Sequence, residues 1–150
     1  MKFRFIWIGK TKDKNWKALQ EEYLKRLTHF TRCEVSEIRD SAQHETKEIE
    51  GKRILNLLNP KNFVCLLDVS GRQMGSTDLA REIEKWQLRG MKEVTFLIGG
   101  ADGVSAEISE IADFRLSLSF MTFTHDMARV ILLEQLYRAF TIINGFPYQK

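Results

Sequence analysis

Cysteine is scarce in this chain, and its scarcity excludes two common ways of holding a small protein together. Only Cys33 and Cys65 occur, each inside an apolar stretch with no CxxC partner and no nearby histidine. A disulfide framework or a structural metal site is therefore not expected. We interpret both residues as buried, reduced thiols of a cytoplasmic protein, and we expect the protein to bind no metal.

Long apolar runs are also missing. No stretch approaches the roughly 20 residues that a membrane-spanning helix needs, so we expect no membrane association. The opening MKFRFIWIGK is too short and too regularly charged for a signal peptide and is typical of a first strand. The chain has 150 residues and contains no repeat or linker, which predicts a single domain, 1–150, with a sizeable core.

Acidic residues are few in the first part of the sequence. Up to Arg32 the chain carries nine lysine and arginine residues against three aspartate and glutamate residues, although the net charge of the whole chain is only +3. A basic face in this region could hold a polyanion, and RNA is the natural candidate. Solvated lysines on a surface helix would explain the same pattern.

What the chain does contain is a regular alternation of apolar strand-like runs and helical segments. Several of the strands are continuously apolar, which indicates burial on both faces. The alternation predicts an α/β fold with a mainly parallel sheet. Strands are predicted at 2–8, 34–39, 62–69, 93–98 and 115–119, and helices at 14–27, 47–58, 77–88, 106–111 and 126–143.

The last predicted helix is unusually apolar. If Asp126 or Thr124 caps it, its polar residues form only a narrow strip made of Glu134, Arg138 and Thr141. One side can pack on the sheet, and we expect a second subunit to cover the other. Arg129 falls among the leucines. It is either a snorkelling or ion-paired residue at the edge of an interface, or a functional cation near the dimer seam.

In parallel α/β proteins, ligands bind beyond the carboxyl ends of the strands. Three predicted loops lie at that edge: Ser-Gly-Arg at 70–72, Gly-Gly-Ala-Asp-Gly at 99–103 and Phe-Met-Thr-Phe-Thr at 120–124. Gly99 and Gly100 would let the main chain approach a flat adenine or a ribose. The second loop is neither a Walker loop nor a GxGxxG fingerprint, and a simple tight turn would explain it as well.

Side chains for acid or base catalysis are few near these loops. His29, His44 and His125 are scattered, and no nucleophile elbow accompanies them. Asp68 and Asp102 form no acid pair, and we interpret Asp68 as an acceptor for loop amides. Such a site suits group transfer from an activated donor, where positioning of the reactants does most of the work.

Three segments of the chain carry a family resemblance: LIGGADG, LSLSFMTFTHDMARVILLEQLYRAF and the terminal PYQK. Together they resemble the RlmH family of SPOUT-class methyltransferases, which methylate N3 of a pseudouridine in large-subunit (23S) ribosomal RNA. The resemblance extends over the whole chain through three further segments, MKFRFIWIGK, EEYLKRL and LDVSG. It implies a trefoil-knotted α/β fold with a mainly parallel sheet of five or six strands flanked by helices. Chain topology alone would argue against a knot.

The resemblance also implies a homodimer whose two sites are completed across the interface, and S-adenosylmethionine (SAM) as the cofactor. The chain has no separate RNA-binding domain, so we expect it to recognise 23S RNA in the assembled 70S ribosome. By position, the family's cofactor contacts fall in the three places that the loop analysis found. They are Leu67, Gly99, Leu118, Ser119, Phe120, Met121, Thr122 and Phe123.

The functional arginine of the family corresponds to Arg138, and its functional tail corresponds to Tyr148, Gln149 and Lys150. A guanidinium on the polar strip could stabilise negative charge as the pyrimidine imide proton leaves. An ion pair with Glu134, four residues earlier, is the structural alternative. Tyr148 could stack on the target base or form a hydrogen bond with it.

Two positions depart from the family pattern. Gln149 stands where a histidine is usual, and glutamine cannot take up a proton near neutral pH. Either this position orients the base rather than deprotonating it, or the chain is slow or acts on a different substrate. The second case leads to an alternative function, a catalytically impaired RNA- or ribosome-binding homologue. Phe120 stands where lysine is common, so a phosphate contact would be lost, although an aromatic ring can stack.

Overall fold

The computed structural model describes residues 1–40, 46–100 and 102–148. Strands and helices alternate along the described chain, as the sequence predicts. In order they are β1 (Lys2–Ile8), α1 (Lys14–Leu27), β2 (Arg32–Ile38), α2 (Lys47–Leu57), β3 (Phe63–Gln73), α3 (Ser76–Leu88), β4 (Glu93–Ile98), α4 (Ala106–Ile111), β5 (Phe114–Ser117) and α5 (His125–Ile143).

The five strands form one parallel sheet in the order β2-β1-β4-β3-β5. This confirms the predicted parallel α/β fold. β4 is central, and its residues from Val94 to Ile98 are all buried. β1 lies beside it with the aromatic side chains of Phe3 and Phe5 against Phe96, at ring-centroid distances of 5.1 and 5.6 Å. Each such ring contributes roughly 1.5–3 kcal/mol through burial.

The sheet separates two apolar cores. The larger one packs the aromatic side chains of β1 and β4 against α3 and α5. The smaller one packs the alternate strand residues, among them Ile6, Ile8 and Leu97, against Ile54 of α2 and Ile108 of α4. The molecule is therefore a three-layer sandwich. Both sheet faces are covered, which explains why the strands read as continuously apolar.

Helix α5 is capped by Thr124, whose hydroxyl accepts a hydrogen bond from the Met127 amide at 3.4 Å. The helix lies between α1 and α3 in the same layer. Among its nineteen residues only Met127 is exposed. The chain thus covers more of this helix than the sequence argument assumed. On α5 the expected second subunit has Met127 and the half-buried side chains to pack on, and the homodimer stays a prediction.

Arg129 is ion-paired, which is one of its predicted roles, because its Nη1 lies 3.4 Å from Oδ1 of Asp126. Its side chain is 1% exposed, so it neither snorkels to solvent nor lies open at a surface. It reaches back under the sheet edge to the end of β1, where its guanidinium donates hydrogen bonds to the carbonyl oxygens of Ile8 and Gly9. The apolar residues around it are the core of its own chain.

Strand β3 is longer than predicted, and the expected loop at 70–72 belongs to it. Leu67 and Arg72 both pair with Leu116 of β5, so the residues between them bulge out of the ladder before the strand resumes. A Cβ placed on Gly71 would lie 2.8 Å from the main chain of Arg115. The glycine therefore allows the bulge to cross close to β5. None of the described helices is long and apolar enough to cross a membrane.

Candidate functional site

A cavity of about 730 Å³ opens at the carboxyl ends of β3, β4 and β5. Its volume falls in the range of roughly 300–1,000 Å³ that is typical of small-molecule sites. The walls are Leu67 of β3 just before its bulge, the end of β4 at Ile98, the glycine turn after β4, the loop after β5 and the first turn of α5. The cavity thus occupies the edge at which parallel α/β proteins bind ligands.

The glycine turn brings main-chain atoms to the cavity wall. Gly103 has a φ of +78° and its amide donates a hydrogen bond to the carbonyl of Gly100 at 3.0 Å, which closes the turn. A Cβ on Gly99 would lie 2.8 Å from Cγ1 of Val104 and 3.2 Å from the main chain of Gly103. Any larger residue at position 99 would force this wall to move.

The loop after β5 is held by serine hydroxyls. Oγ of Ser117 lies 2.8 Å from the carbonyl oxygen of Val69 and 3.0 Å from that of Ser119, which ties the loop to the end of β3. Oγ of Ser119 accepts a hydrogen bond from the Met121 amide at 3.0 Å. Short local bonds of this kind fix the path of the loop where it forms the cavity wall.

The structure brings seven of the eight proposed cofactor residues to this cavity. They are Leu67, Gly99, Leu118, Ser119, Met121, Thr122 and Phe123. Phe120 is absent from the lining, and it is 68% exposed. Sequence reasoning missed several wall residues, including Val104 and Ala128. Their place directly after the glycine turn and in the first turn of α5 is the signal that could have found them.

The cavity lining is poor in acids and bases. Asp68 is engaged as expected, because its Oδ1 accepts hydrogen bonds from the amide and the hydroxyl of Ser70 at 2.9 and 2.8 Å. His125 lies in the wall at the start of α5, half-buried. Within the described residues no group of three metal-ligating side chains exists. Apolar side chains and main-chain groups therefore make up most of the described cavity wall.

A second cluster surrounds Glu134 near the far end of α5. Nε of Arg138 donates to Oε1 of Glu134 at 3.0 Å, and Nη2 of the same guanidinium donates to the same oxygen. The hydroxyl of Tyr148 donates to this oxygen at 3.1 Å. The guanidinium carbon of Arg138 lies 4.9 Å from the centre of the Tyr148 ring. The structural alternative for Arg138, an ion pair with Glu134, is therefore present.

The chain turns back after α5 to place Tyr148 in this cluster. Gly145 has a φ of +69°, and the Phe146 amide donates to the carbonyl of Thr141 at 2.8 Å. The ring of Tyr148 then packs edge-on against Tyr137 at 4.8 Å. The predicted tail residues Gln149 and Lys150 lie outside the described residues.

Arg138 and Tyr148 both have raised pKa values, which favour their protonated forms. The hydrogen bonds to Glu134 raise the pKa of Arg138, so its charge is secure. Burial, aided by hydrogen bonds with Tyr23 and Glu134, raises the pKa of Tyr148 to about 12. At neutral pH Tyr148 is therefore an uncharged phenol that donates a hydrogen bond and does not accept a proton.

Neither Arg138 nor Tyr148 lines the cavity of its own chain. The site residues that the sequence predicts thus fall into two groups, one around the cavity at the beginning of α5 and one around Glu134 farther along the same helix. Within the described chain the two groups are separate, because Arg138 is fixed in α5 and lies outside the cavity lining.

Two solved structures share this fold. The tRNA (m1G37) methyltransferase of Aquifex aeolicus matches with a TM-score of 0.55 and 15% identity, covering 92% of this chain and 70% of that one. A protein of Legionella pneumophila, described as a methyltransferase and solved with the bound cofactor SAM, matches with a TM-score of 0.51 and 11% identity, covering 93% and 66%. At these identities the likeness shows the fold alone.

Sequence comparison is more specific. A family model described as "Predicted SPOUT methyltransferase" matches residues 1–149. The chain is 45% identical to the ribosomal RNA large subunit methyltransferase H of Halothermothrix orenii, and 41% identical to the proteins of that name from Acetivibrio thermocellus and Clostridium kluyveri. Each alignment covers all of both chains. The chain therefore belongs to the SPOUT methyltransferase family, among the ribosomal RNA large subunit methyltransferase H proteins.

Proposed function

We propose that this protein transfers the methyl group of SAM to N3 of a pseudouridine in 23S ribosomal RNA, within the assembled 70S ribosome. Membership of the methyltransferase family supports SAM-dependent methyl transfer, and the names of the full-length relatives support ribosomal RNA as the substrate. The single observation that carries the proposal is the cavity at the strand edge. It gathers residues from three separate parts of the sequence into one site of suitable size.

The residues of the cavity fit SAM. Main-chain atoms of Gly99 and Gly100 can meet the edge of the adenine, and the side chains of Leu118, Met121 and Phe123 can cover its faces. Ser119 and Thr122 supply neutral hydroxyls, and Asp68, the only carboxylate among the lining residues that the structure describes, is already bonded to Ser70. When bound, SAM supplies a methyl group that is made electrophilic by a positively charged sulfur.

At the target base, N3 would lose its proton and bond to the methyl carbon as the methyl–sulfur bond breaks, which would leave neutral S-adenosylhomocysteine. The side chain of Arg138 can stabilise the negative charge that develops on the neighbouring carbonyl oxygens as this proton leaves. Tyr148, as a neutral donor, can hold the base by a hydrogen bond and by its ring. Gln149 can orient the base through its amide but cannot accept the proton, so the proton must pass to a different base.

A homodimer would bring the two groups of residues together. We propose that the half-buried outward side of α5 forms a two-fold interface, so that Arg138 and Tyr148 of one protomer complete the cavity of its partner. This arrangement accounts for their absence from the cavity of their own chain. Family resemblance adds a trefoil knot at this edge of the sheet and a cytoplasmic location to the same proposal.

Complementation would test the shared site. Arg138→Ala leaves the cavity intact, whereas Gly99→Val leaves Arg138 intact but puts a side chain against Val104. Each homodimer should be inactive, and a mixed dimer should recover one of its two sites. Light scattering would report the oligomeric state, and circular dichroism would confirm that both variants fold. Inactive mixed dimers would show that each chain works alone.

The activity itself is tested by incubating the purified protein with labelled SAM and 70S ribosomes that lack the modification. We expect label in 23S RNA at one pseudouridine, and much less label with isolated large subunits. Mapping of the labelled nucleotide would identify the methylated atom. If SAM binds normally and no label is transferred, the proposed activity is wrong.

One observation favours a second candidate function. Because Gln149 replaces the usual histidine, the chain could bind the ribosome and SAM without efficient methyl transfer. The Gln149→His variant separates the two cases. Comparable activity of wild type and variant supports the enzyme, whereas activity in the variant alone supports the impaired homologue. Calorimetry with SAM on both proteins controls for cofactor binding.

A further inference from the structure

We propose that Arg129 is a positioning residue for the cofactor cavity, which fixes two of its walls relative to each other. The inference rests on the proposed use of SAM as the cofactor. Arg129 touches none of the reacting atoms, and it is absent from the cavity lining. It would affect cofactor binding indirectly, through β1 and α5, the two elements that it joins.

The contacts of Arg129 are numerous for one side chain. Nη2 donates to the carbonyl oxygens of Ile8 and Gly9 at 2.7 and 2.8 Å, and Nη1 donates to Oγ1 of Thr11 at 2.8 Å. Nη1 also lies 3.4 Å from Oδ1 of Asp126. The planar guanidinium thus spans the end of β1 and the residues that follow it, which a lysine could not do in the same way.

Both sides of this connection border the cavity. On the side of α5, the first turn lines the cavity with Thr124, His125 and Ala128. On the side of β1, Cγ2 of Ile8 would lie 3.4 Å from a Cβ placed on Gly100, so the strand end packs against the glycine turn. Gly100 itself lines the cavity. Arg129 therefore sets the spacing between the glycine turn and α5 through the end of β1.

The connection continues into α1. The hydroxyl of Thr11 accepts the hydrogen bond from Arg129 and donates one to Oε1 of Gln20 at 3.0 Å. Thr11 and Gln20 are 7% and 3% exposed, so these bonds are shielded from water. Buried hydrogen-bonded groups of this kind hold their geometry firmly. Three separate elements, β1, α1 and α5, thus meet at one guanidinium.

Packing alone does not explain an arginine at this place. Burial lowers the pKa of Arg129, which reflects the cost of removing its charge from water. A cation in the first turns of a helix is also on the unfavourable side of the helix dipole. An apolar residue of similar volume is often as good or better for stability at such a site. The feature that only arginine supplies is the fork that binds the carbonyl groups of β1.

The test compares Arg129→Met with a matched control, Arg4→Met. Arg4 also donates to a main-chain carbonyl, that of Leu57 at 2.7 Å, but Leu57 ends α2 and lies outside the cavity lining. Binding of SAM to each protein is measured by calorimetry, and thermal unfolding is followed in parallel. We expect Arg129→Met to bind SAM about tenfold to a hundredfold more weakly than wild type. Arg4→Met should stay within about twofold of wild type.

Kinetic constants distinguish a positioning role for Arg129 from a merely structural one. In the ribosome methylation assay the KM for SAM should rise in Arg129→Met, while the KM for ribosomes stays at the wild-type value. Arg129→Lys keeps the charge and reaches only some of the acceptors, so it should fold and should bind SAM about threefold to tenfold more weakly. This variant decides the question if Arg129→Met does not fold.

The outcomes separate this inference from the proposed function. Wild type that binds no SAM would contradict the proposed function and with it the basis of the inference. If wild type binds SAM, and both Arg129→Lys and Arg129→Met bind it as well as Arg4→Met does, the positioning role alone is overturned. Selective weakening in the Arg129 variants supports it.

Discussion

Helix α5 carries one arginine near its start and another near its end, and the two are held in opposite ways. Arg129 is 1% exposed and bonds mainly to the main chain of β1. The side chain of Arg138 is 26% exposed and bonds to the carboxylate of Glu134 in its own helix. Main-chain acceptors cannot be exchanged without moving the strand, whereas a carboxylate partner can be replaced by another anion. The first arginine is therefore suited to fix the fold, and the second is suited to meet a substrate.

In the second cluster, two donors share one acceptor. Oε1 of Glu134 accepts from both Arg138 and Tyr148, so the approach of an RNA base can draw either donor away while the other stays bonded. Oε2 of Glu134 is held by the amide of Gln135 at 2.8 Å, and Gln135 in turn accepts from Ser76 of α3 at 2.6 Å. Glu134 therefore remains in place when its donors turn toward the substrate.

The largest expected effect concerns catalysis. Arg138→Ala should lower the methylation rate about a hundredfold to a thousandfold, because a charge that stabilises the transition state is lost. Binding of SAM should not change, since Arg138 lies outside the cavity lining. Initial rates and calorimetry measure the two quantities. Arg81→Ala, which removes an exposed ion pair with Asp78, is the control. A rate within threefold of wild type would refute the role of Arg138.

Stability should depend more on Arg129 than on Arg138. Arg129→Ala removes bonds from a buried site and leaves their acceptors unmatched, so the free energy of unfolding should fall by about 3 kcal/mol. Arg138→Ala breaks a partly exposed pair and should cost less than about 1 kcal/mol. Urea unfolding of the SAM-free proteins measures both values. Equal losses would show that the two arginines are not held differently after all.

Tyr148→Phe tests the tail with a smaller expected effect. The variant loses the hydrogen bond to Glu134 but keeps the ring that packs on Tyr137. We expect methylation to slow about tenfold, which corresponds to one hydrogen bond to a charged group. Tyr148→Ala should be slower still because the ring is lost as well. If Tyr148→Phe is as active as wild type, the hydroxyl has no part in positioning the base.

The smallest effect is a dependence of stability on alkaline pH. The pKa of Tyr148 is raised from 10.0 to about 12 by folding, mainly through burial. Between these values the unfolded chain has lost the proton that the folded chain keeps, so the contribution of Tyr148 is full below pH 10 and declines as the pH rises to 12. Tyrosinate absorbance shows when the group ionises. Because burial also raises the pKa of Cys33 to about 12, the quantity to measure is the difference between wild type and Tyr148→Phe. A normal titration of Tyr148 would contradict a docked tail.

Much of the fold follows from local signals. Continuous apolar strands, the Ser105 cap of α4 and the Thr124 cap of α5 place most element ends within a residue or two of those observed. The cavity edge also follows, because parallel strands present their carboxyl ends to the same side. The names of individual site residues came from family resemblance, and the structure brings seven of the eight cofactor positions to one cavity.

Other features depend on distant partners and could not be read locally. Ser70, Gly71 and Arg72 are typical of a loop, yet β3 continues through them because β5 pairs with Arg72 and Gln73. Arg129 lies among leucines on a helical wheel, and only the folded chain shows that its acceptors lie at the end of the first strand. Gln149, the residue that most affects the choice between the two functions, lies outside the described residues.

The strand order also determines the order in which parts of the fold can form. At the centre of the sheet, Lys2 of β1 lies opposite Glu93 of β4, and β1 can complete this pairing only after three helices and two other strands have been made. Pairings of such large sequence separation form slowly, and until then β1 exposes an apolar edge during synthesis. The cavity walls come from β3 through α5, so they assemble last. Uptake of the cofactor would therefore report that folding is complete.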